Sequence, residues 1–233
     1  MGSFAMQQNT GSVLVDLLPL VIGAAAVPIP IIIVLLLLGS QGGLLKGAAF
    51  IGGASAVRLA QGIVFGYVFS SDPAATSETG ANLVVSTLLI VLGVLMLITA
   101  FRKWDKEDDP DAPPPKWMAA LGGLSALKAF GMGAALVAIA AKQWVFTLSA
   151  IGVIGKAQLT PPASIGLFLF YVLAVQALGL IAVIAYAVAP RPAGRVIARA
   201  CEWLERNDRR ILIAFSLIFG LFFLFKGIAG LGS

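Results

Sequence analysis

The chain has 233 residues, 59% of them hydrophobic and 12% charged, with 16 Lys and Arg against 11 Asp and Glu for a net charge of +5. Soluble domains carry about a quarter charged residues, and the mean hydropathy here is +0.98; this excludes an ordinary soluble enzyme and leaves one polytopic membrane domain. Cationic loops in such a chain report topology rather than nucleic acid, the absence of His removes imidazole chemistry, and the lone Cys201 excludes an intramolecular disulfide or a CxxC redox pair.

About 20 apolar residues cross a bilayer core, and six such runs are predicted. Met1 to Ser12 is polar without Lys or Arg, unlike the basic start of a signal peptide. The first run, Val13 to Leu38, contains Pro28 and Pro30, which remove backbone donors and should break or kink the helix at bilayer depth. Such a break is tolerated where it lines a cavity or packs in protein. The second, Leu44 to Phe69, is glycine-rich, carries Arg58 near its centre, and holds Gly62 and Gly66 as a GxxxG pair suited to close helix approach. The third, Asn82 to Phe101, ends at Arg102 and Lys103.

Residues 102–128 read as a charged, proline-rich surface linker. The acidic group Asp105, Glu107, Asp108, Asp109 and Asp111 lacks the ligand order and glycine of an EF-hand, so neither a metal nor a cofactor is expected. The fourth run, Phe130 to Ile154, has Lys142 and Gln143 at its middle; the fifth, Ser164 to Val188, has Gln176. Residues 193–210 form an amphipathic pattern, with Val196, Ile197, Ala200, Trp203 and Leu204 opposite Arg195, Arg199, Arg206 and Arg209, the pattern of a helix lying among head groups. The sixth run spans Ile211 to Leu231.

With the N-terminus outside, the inner loops hold Lys46, then Arg102, Lys103, Lys106, Lys116 and Lys128, then the six arginines from Arg191 to Arg210, while the outer segments hold only Lys156. The positive-inside bias therefore places both termini outside. The predicted fold is an all-α integral membrane protein of six transmembrane helices, two inverted three-helix repeats over 13–101 and 129–231, with helices 1 and 4 broken at corresponding positions.

Arg58 and Lys142 are ionisable residues at mid-membrane depth, one in each repeat, with no carboxylate at that depth to compensate them. An anionic ligand group such as phosphate, sulfate or carboxylate would supply the missing charge; the alternatives are snorkelling or capping of carbonyls freed by the prolines. Gln143, Gln176, Pro28 and Pro30 share that depth and complete a candidate substrate site. Asp16, near the outer end of span one, either pairs with Lys226 or begins a proton path as a coupling residue. No hydrolase triad and no phosphate-binding glycine loop is present, so neither an enzyme nor a single-chain ATP-driven pump is expected.

The VPIPIIIVLLLL run at Pro28 and Pro30, the GAAFIGGASAVRLAQGIVF stretch around Arg58 and the segment from Trp203 to Leu231 resemble the lysine-exporter (LysE) superfamily, and within it the Gap or Sap-like glycolipid- and sulfolipid-addressing proteins of actinobacteria. Where that group carries Asn-Pro-Lys-Asn in span four, this chain has Ala140-Ala141-Lys142-Gln143: the Lys is kept, Gln stands for the last Asn, and the leading Asn-Pro is absent. The resemblance implies a bacterial plasma-membrane exporter.

The leading expectation is export or translocation of an anionic or glycosylated cell-envelope lipid, its head group on Arg58 and Lys142. Two alternatives stand beside it: a proton-coupled exporter of amino acids or similar solutes, and a membrane scaffold partnering a lipid synthase or larger exporter. Homodimerisation through the glycine-rich faces competes with packing inside one chain.

Overall fold

A computed structural model describes residues 2–71, 78–105, 121 and 123–231, and among these all regular structure is helical. Most of the expected linker, with Glu107, Asp108, Asp109 and Asp111, lies outside the described residues. The first run becomes α1 (Gly2–Ala25) and α2 (Pro28–Leu38), the second α3 (Gly43–Ser71) and the third α4 (Glu78–Trp104). The fourth becomes α5 (Ala126–Ile139) and α6 (Ala141–Lys156), the fifth α7 (Pro161–Val175) and α8 (Ala177–Val188), and the chain closes with α9 (Pro190–Leu231). Three helices are long and apolar enough to cross a membrane alone, and three bent pairs qualify jointly, giving up to six crossings.

Each break has a local cause. Between α1 and α2, bent by 59°, Val27 is extended and Pro28 takes the first helical position of α2, where a missing N–H costs nothing. The prolines thus start a second helix instead of kinking one. Between α5 and α6, bent by 75°, no proline is present; Ala140 turns extended (ψ 102°), and the Trp144 indole donates to the freed Ala138 carbonyl at 2.7 Å. A side-chain donor here does the work that the absent proline would otherwise do by exclusion. The third break, 65° between α7 and α8, was not expected from the sequence. It falls at Gln176, whose side chain leaves its own helix to reach α3, 3.3 Å from the Ile51 carbonyl and 3.4 Å from the Ser55 hydroxyl.

The breaks divide the core in two. One apolar cluster gathers α1, α4, α6, α7 and the last third of α9, with Leu17, Leu92, Phe146, Tyr171 and Phe223 fully buried. The other gathers α2, α3 and α5, with Leu37, Leu38, Phe50 and Ala129, and Leu180 and Val183 of α8 packed against it. Each broken span gives one half to each cluster, so the polar residues at the breaks meet at the boundary between the two.

Close helix approach is made by glycines other than the expected pair. A Cβ on Gly53 would strike the Phe130 carbonyl of α5, and one on Gly133 would strike the Phe50 carbonyl of α3, so these glycines let the two backbones touch. Gly93 and Gly220 do the same between α4 and α9. Gly62 instead faces the Phe168 ring, and Gly66 faces open space; the GxxxG pair makes room for a cavity.

The amphipathic segment 193–210 also departs from expectation, because it is the first half of one continuous helix rather than a separate in-plane one. No proline or glycine follows Gly194 until Gly220, so nothing stops helix propagation. At 1.5 Å per residue the 42 residues of α9 reach about 63 Å, roughly twice a hydrocarbon core. Ile197 and Ala200 pack on the α2 cluster while Val196 and Trp203 stay exposed. Arg209 caps the end of α4, donating to the Lys103 carbonyl at 2.9 Å and the Trp104 carbonyl at 2.8 Å.

Candidate functional site

Arg58 sits a little past the middle of α3 and is only 3% exposed. Its Nη2 donates to the Gln143 amide oxygen at 2.8 Å, and its Nη1 makes a long 3.5 Å contact to the Ala54 carbonyl one turn back. Its Nε holds no partner. Among the described carboxylates, Asp16 is bound to Lys226, Glu202 to Arg206, and Asp105 is exposed just past the end of α4. The guanidinium is therefore held by a neutral amide, and its charge is not offset by an ion pair. Desolvating such a group costs about 2.5–3.5 kcal/mol at a helix centre, a cost that packing alone gives no reason to retain.

Further buried polar groups lie on α3, α6 and α7, some of them unfilled. Gln61, one turn along α3, is 4% exposed, and neither its amide nitrogen nor its amide oxygen has a partner. On α6, Thr147 donates to the Gln143 carbonyl at 3.0 Å. Tyr171 of α7 is fully buried, and its hydroxyl has no hydrogen-bond partner. Buried polar atoms are paired in more than nine cases in ten. Unfilled atoms on both Arg58 and Gln61 mark a place where a polar ligand or water completes the set.

The three breaks converge here. A cavity of about 20 Å³ touches Val27 and Pro30 at the first break, Gln143 just after the second, Gln176 at the third, and Arg58. That volume admits about one water. Pro28 is buried at the start of α2, and the sequence-predicted residues Arg58, Gln143, Gln176 and Pro30 are brought together.

Residues 17–229 match the family model described as "Sap, sulfolipid-1-addressing protein". The chain belongs to this Sap family. No curated protein and no solved structure matches it.

Two expected site residues of this Sap-family chain stand elsewhere. Lys142 is half-buried and turns to α4, where its Nζ donates to the Thr99 hydroxyl at 3.0 Å; Thr99 in turn donates to the Leu95 carbonyl at 2.8 Å. It ties the second break to span three rather than flanking Arg58. Asp16 joins Lys226 at 2.7 Å, both side chains nearly half exposed, at the opposite end of the bundle from Arg102 and Lys103. The reading of Asp16 as a partner of Lys226 is the one the geometry carries. Sequence reasoning missed Gln61, Thr147, Tyr171 and Thr99. The spacing of Arg58 and Gln61, and of Gln143 and Thr147, puts each pair on one helix face, and that is the signal by which they could have been found.

Proposed function

We propose that this Sap-family protein exports an anionic or glycosylated cell-envelope lipid across a bacterial plasma membrane, with Arg58 as the countercharge for its head group. The single observation that carries the reading is a buried guanidinium with an unfilled donor and, among the described residues, no carboxylate partner, at the meeting point of three broken spans. A guanidinium fork matches sulfate, phosphate and carboxylate oxygens, and the family's description names a sulfolipid, a lipid of that charge. Gln143 orients the fork, and Gln61 and Tyr171 offer hydrogen bonds to head-group oxygens. The pairing of Asp16 with Lys226 counts against the proton-coupled alternative, because it leaves no described carboxylate beside Arg58.

The inverted-repeat architecture belongs to the same proposal. Exchanging the first three spans for the last three maps the packing of α3 on α5 onto that of α7 on α1, and of α4 on α6 onto that of α9 on α2. Three crossings per repeat make the two orientations opposite, and alternating access then rocks one repeat against the other about the fixed site.

The test is translocation of a fluorescent sulfated glycolipid in proteoliposomes, comparing wild type with Arg58→Met. The variant should keep or raise the melting temperature, because an apolar isostere in place of an uncompensated buried charge is neutral or stabilising. Translocation should fall at least tenfold. Normal translocation by the variant, or a wild type inactive toward anionic lipids, sinks the proposal.

A further inference from the structure

At the end of the bundle away from Arg102 and Lys103, two cavities adjoin. The larger, about 750 Å³, lies between the end of α3, the end of α6 and the start of α7, and includes Gly62, Gly66 and Phe168 in its wall. Ile63 and Ile165 in that wall are 75% and 61% exposed, so the groove has an open apolar side that acyl chains of a surrounding bilayer could enter. The smaller, about 240 Å³, lies between α1, α4, α6 and α9 and holds Asp16 and Lys226. Lys156, the basic residue in the last turn of α6, borders both cavities.

We infer that these cavities form a second binding site, for one anionic membrane lipid, with an acyl chain in the larger groove and its charged head group in the smaller pocket between Lys156 and Lys226. Among its described lining residues the small pocket has two ammonium groups against one carboxylate, a net charge of +1, so it favours an anion over a zwitterion. The large groove has the size of a ligand site and an apolar wall. One amphiphile satisfies both only because Lys156 stands where they meet. Asp16 holds Lys226 at 2.7 Å and would yield part of that contact to an arriving head group. The inference is independent of the Arg58 site and survives its failure.

Two glycines make the test clean. A Cβ on Gly66 or on Gly155, both in the groove wall, meets nothing within 4 Å, so Gly66→Leu and Gly155→Leu fill the groove without striking the fold. Gly131, on α5 outside both cavities and equally open, supplies Gly131→Leu as a control for adding leucine. The full chain is purified in mild detergent, its melting temperature recorded, and retention of dioleoyl phosphatidylglycerol against dioleoyl phosphatidylcholine read by native mass spectrometry.

Wild type and Gly131→Leu should retain one phosphatidylglycerol in preference to phosphatidylcholine. Gly66→Leu and Gly155→Leu should lose retention of both lipids at least fivefold. Lys156→Gln should keep phosphatidylcholine but lose the anionic preference, and Asp16→Asn should strengthen that preference by freeing Lys226. Undiminished retention in both groove-filling variants overturns the acyl site, and an unchanged preference in Lys156→Gln overturns the head-group assignment. None of these readings involves translocation, so their failure is distinct from failure of the Arg58 proposal.

Discussion

A guanidinium at bilayer depth is retained only where something uses its charge, and Arg58 differs from the other central cation in this respect. Arg58 is buried against a neutral amide with Nε empty, whereas Lys142 is half-buried and anchored on the Thr99 hydroxyl of the neighbouring span. Their contributions should therefore separate. Lys142→Met should lower lipid translocation less than tenfold and less than Arg58→Met does, because it loosens the second break without emptying the proposed head-group position. Equal losses in the two variants, measured side by side in proteoliposomes, would return Lys142 to the head-group site. Both cations were legible in the sequence as uncompensated charges. Their separation was not, since which way a lysine on a broken span turns depends on the neighbour that packs there.

Among the elements, the α3–α5 contact brings two backbones together at described glycines on both helices. Gly53 and Gly133 each lie against a carbonyl of the opposite backbone, and backbone cannot move aside as a flexible side chain can. Gly53→Leu should destabilise at or beyond the upper end of the about 1–3 kcal/mol that overpacking costs, read as a lowered melting temperature in detergent. Gly131→Leu on α5, with open space at its Cβ, should leave it unchanged. An unaltered melting temperature for Gly53→Leu would mean that the two helices do not touch. The breaks follow similar logic. The first is written in Pro28 and Pro30, but the second depends on a Trp144 indole reaching Ala138, and the third on Gln176 bonding to α3. A proline acts on its own backbone and is visible in the chain; a hydrogen bond from a side chain needs its partner in place.

For the whole molecule, charge and packing make a joint statement about orientation. The ends of α3 and α6 and the starts of α4 and α7 gather around the cavities bordered by Lys156, while Arg102 and Lys103 end α4 on the other side. On the proposed topology, the positive-inside bias predicts Asp16 and Lys226 outside and the arginines of α9 inside. With Cys201→Ser removing the natural thiol, Gly11→Cys should react with a membrane-impermeant maleimide on intact cells, and Gly194→Cys only after lysis. Both positions have open space at Cβ, so access to the reagent decides the result. The reverse pattern would invert the proposed topology and with it the proposed direction of export.

Composition and hydropathy by themselves determined the membrane class, the positions of the apolar runs, the first helix break and the presence of uncompensated charge, because each depends on the type of residue and its near neighbours along the chain. Helix boundaries inside spans four and five, the continuity of α9, the glycines that touch and the company Arg58 keeps were decided only by tertiary structure. In an apolar chain nearly every residue is compatible with lipid and with protein interior alike, so hydrophobic pattern loses its power to say which face meets which. Only close packing and the pairing of buried polar groups choose between them. Gln143 rather than Lys142 stands on Arg58 for that reason.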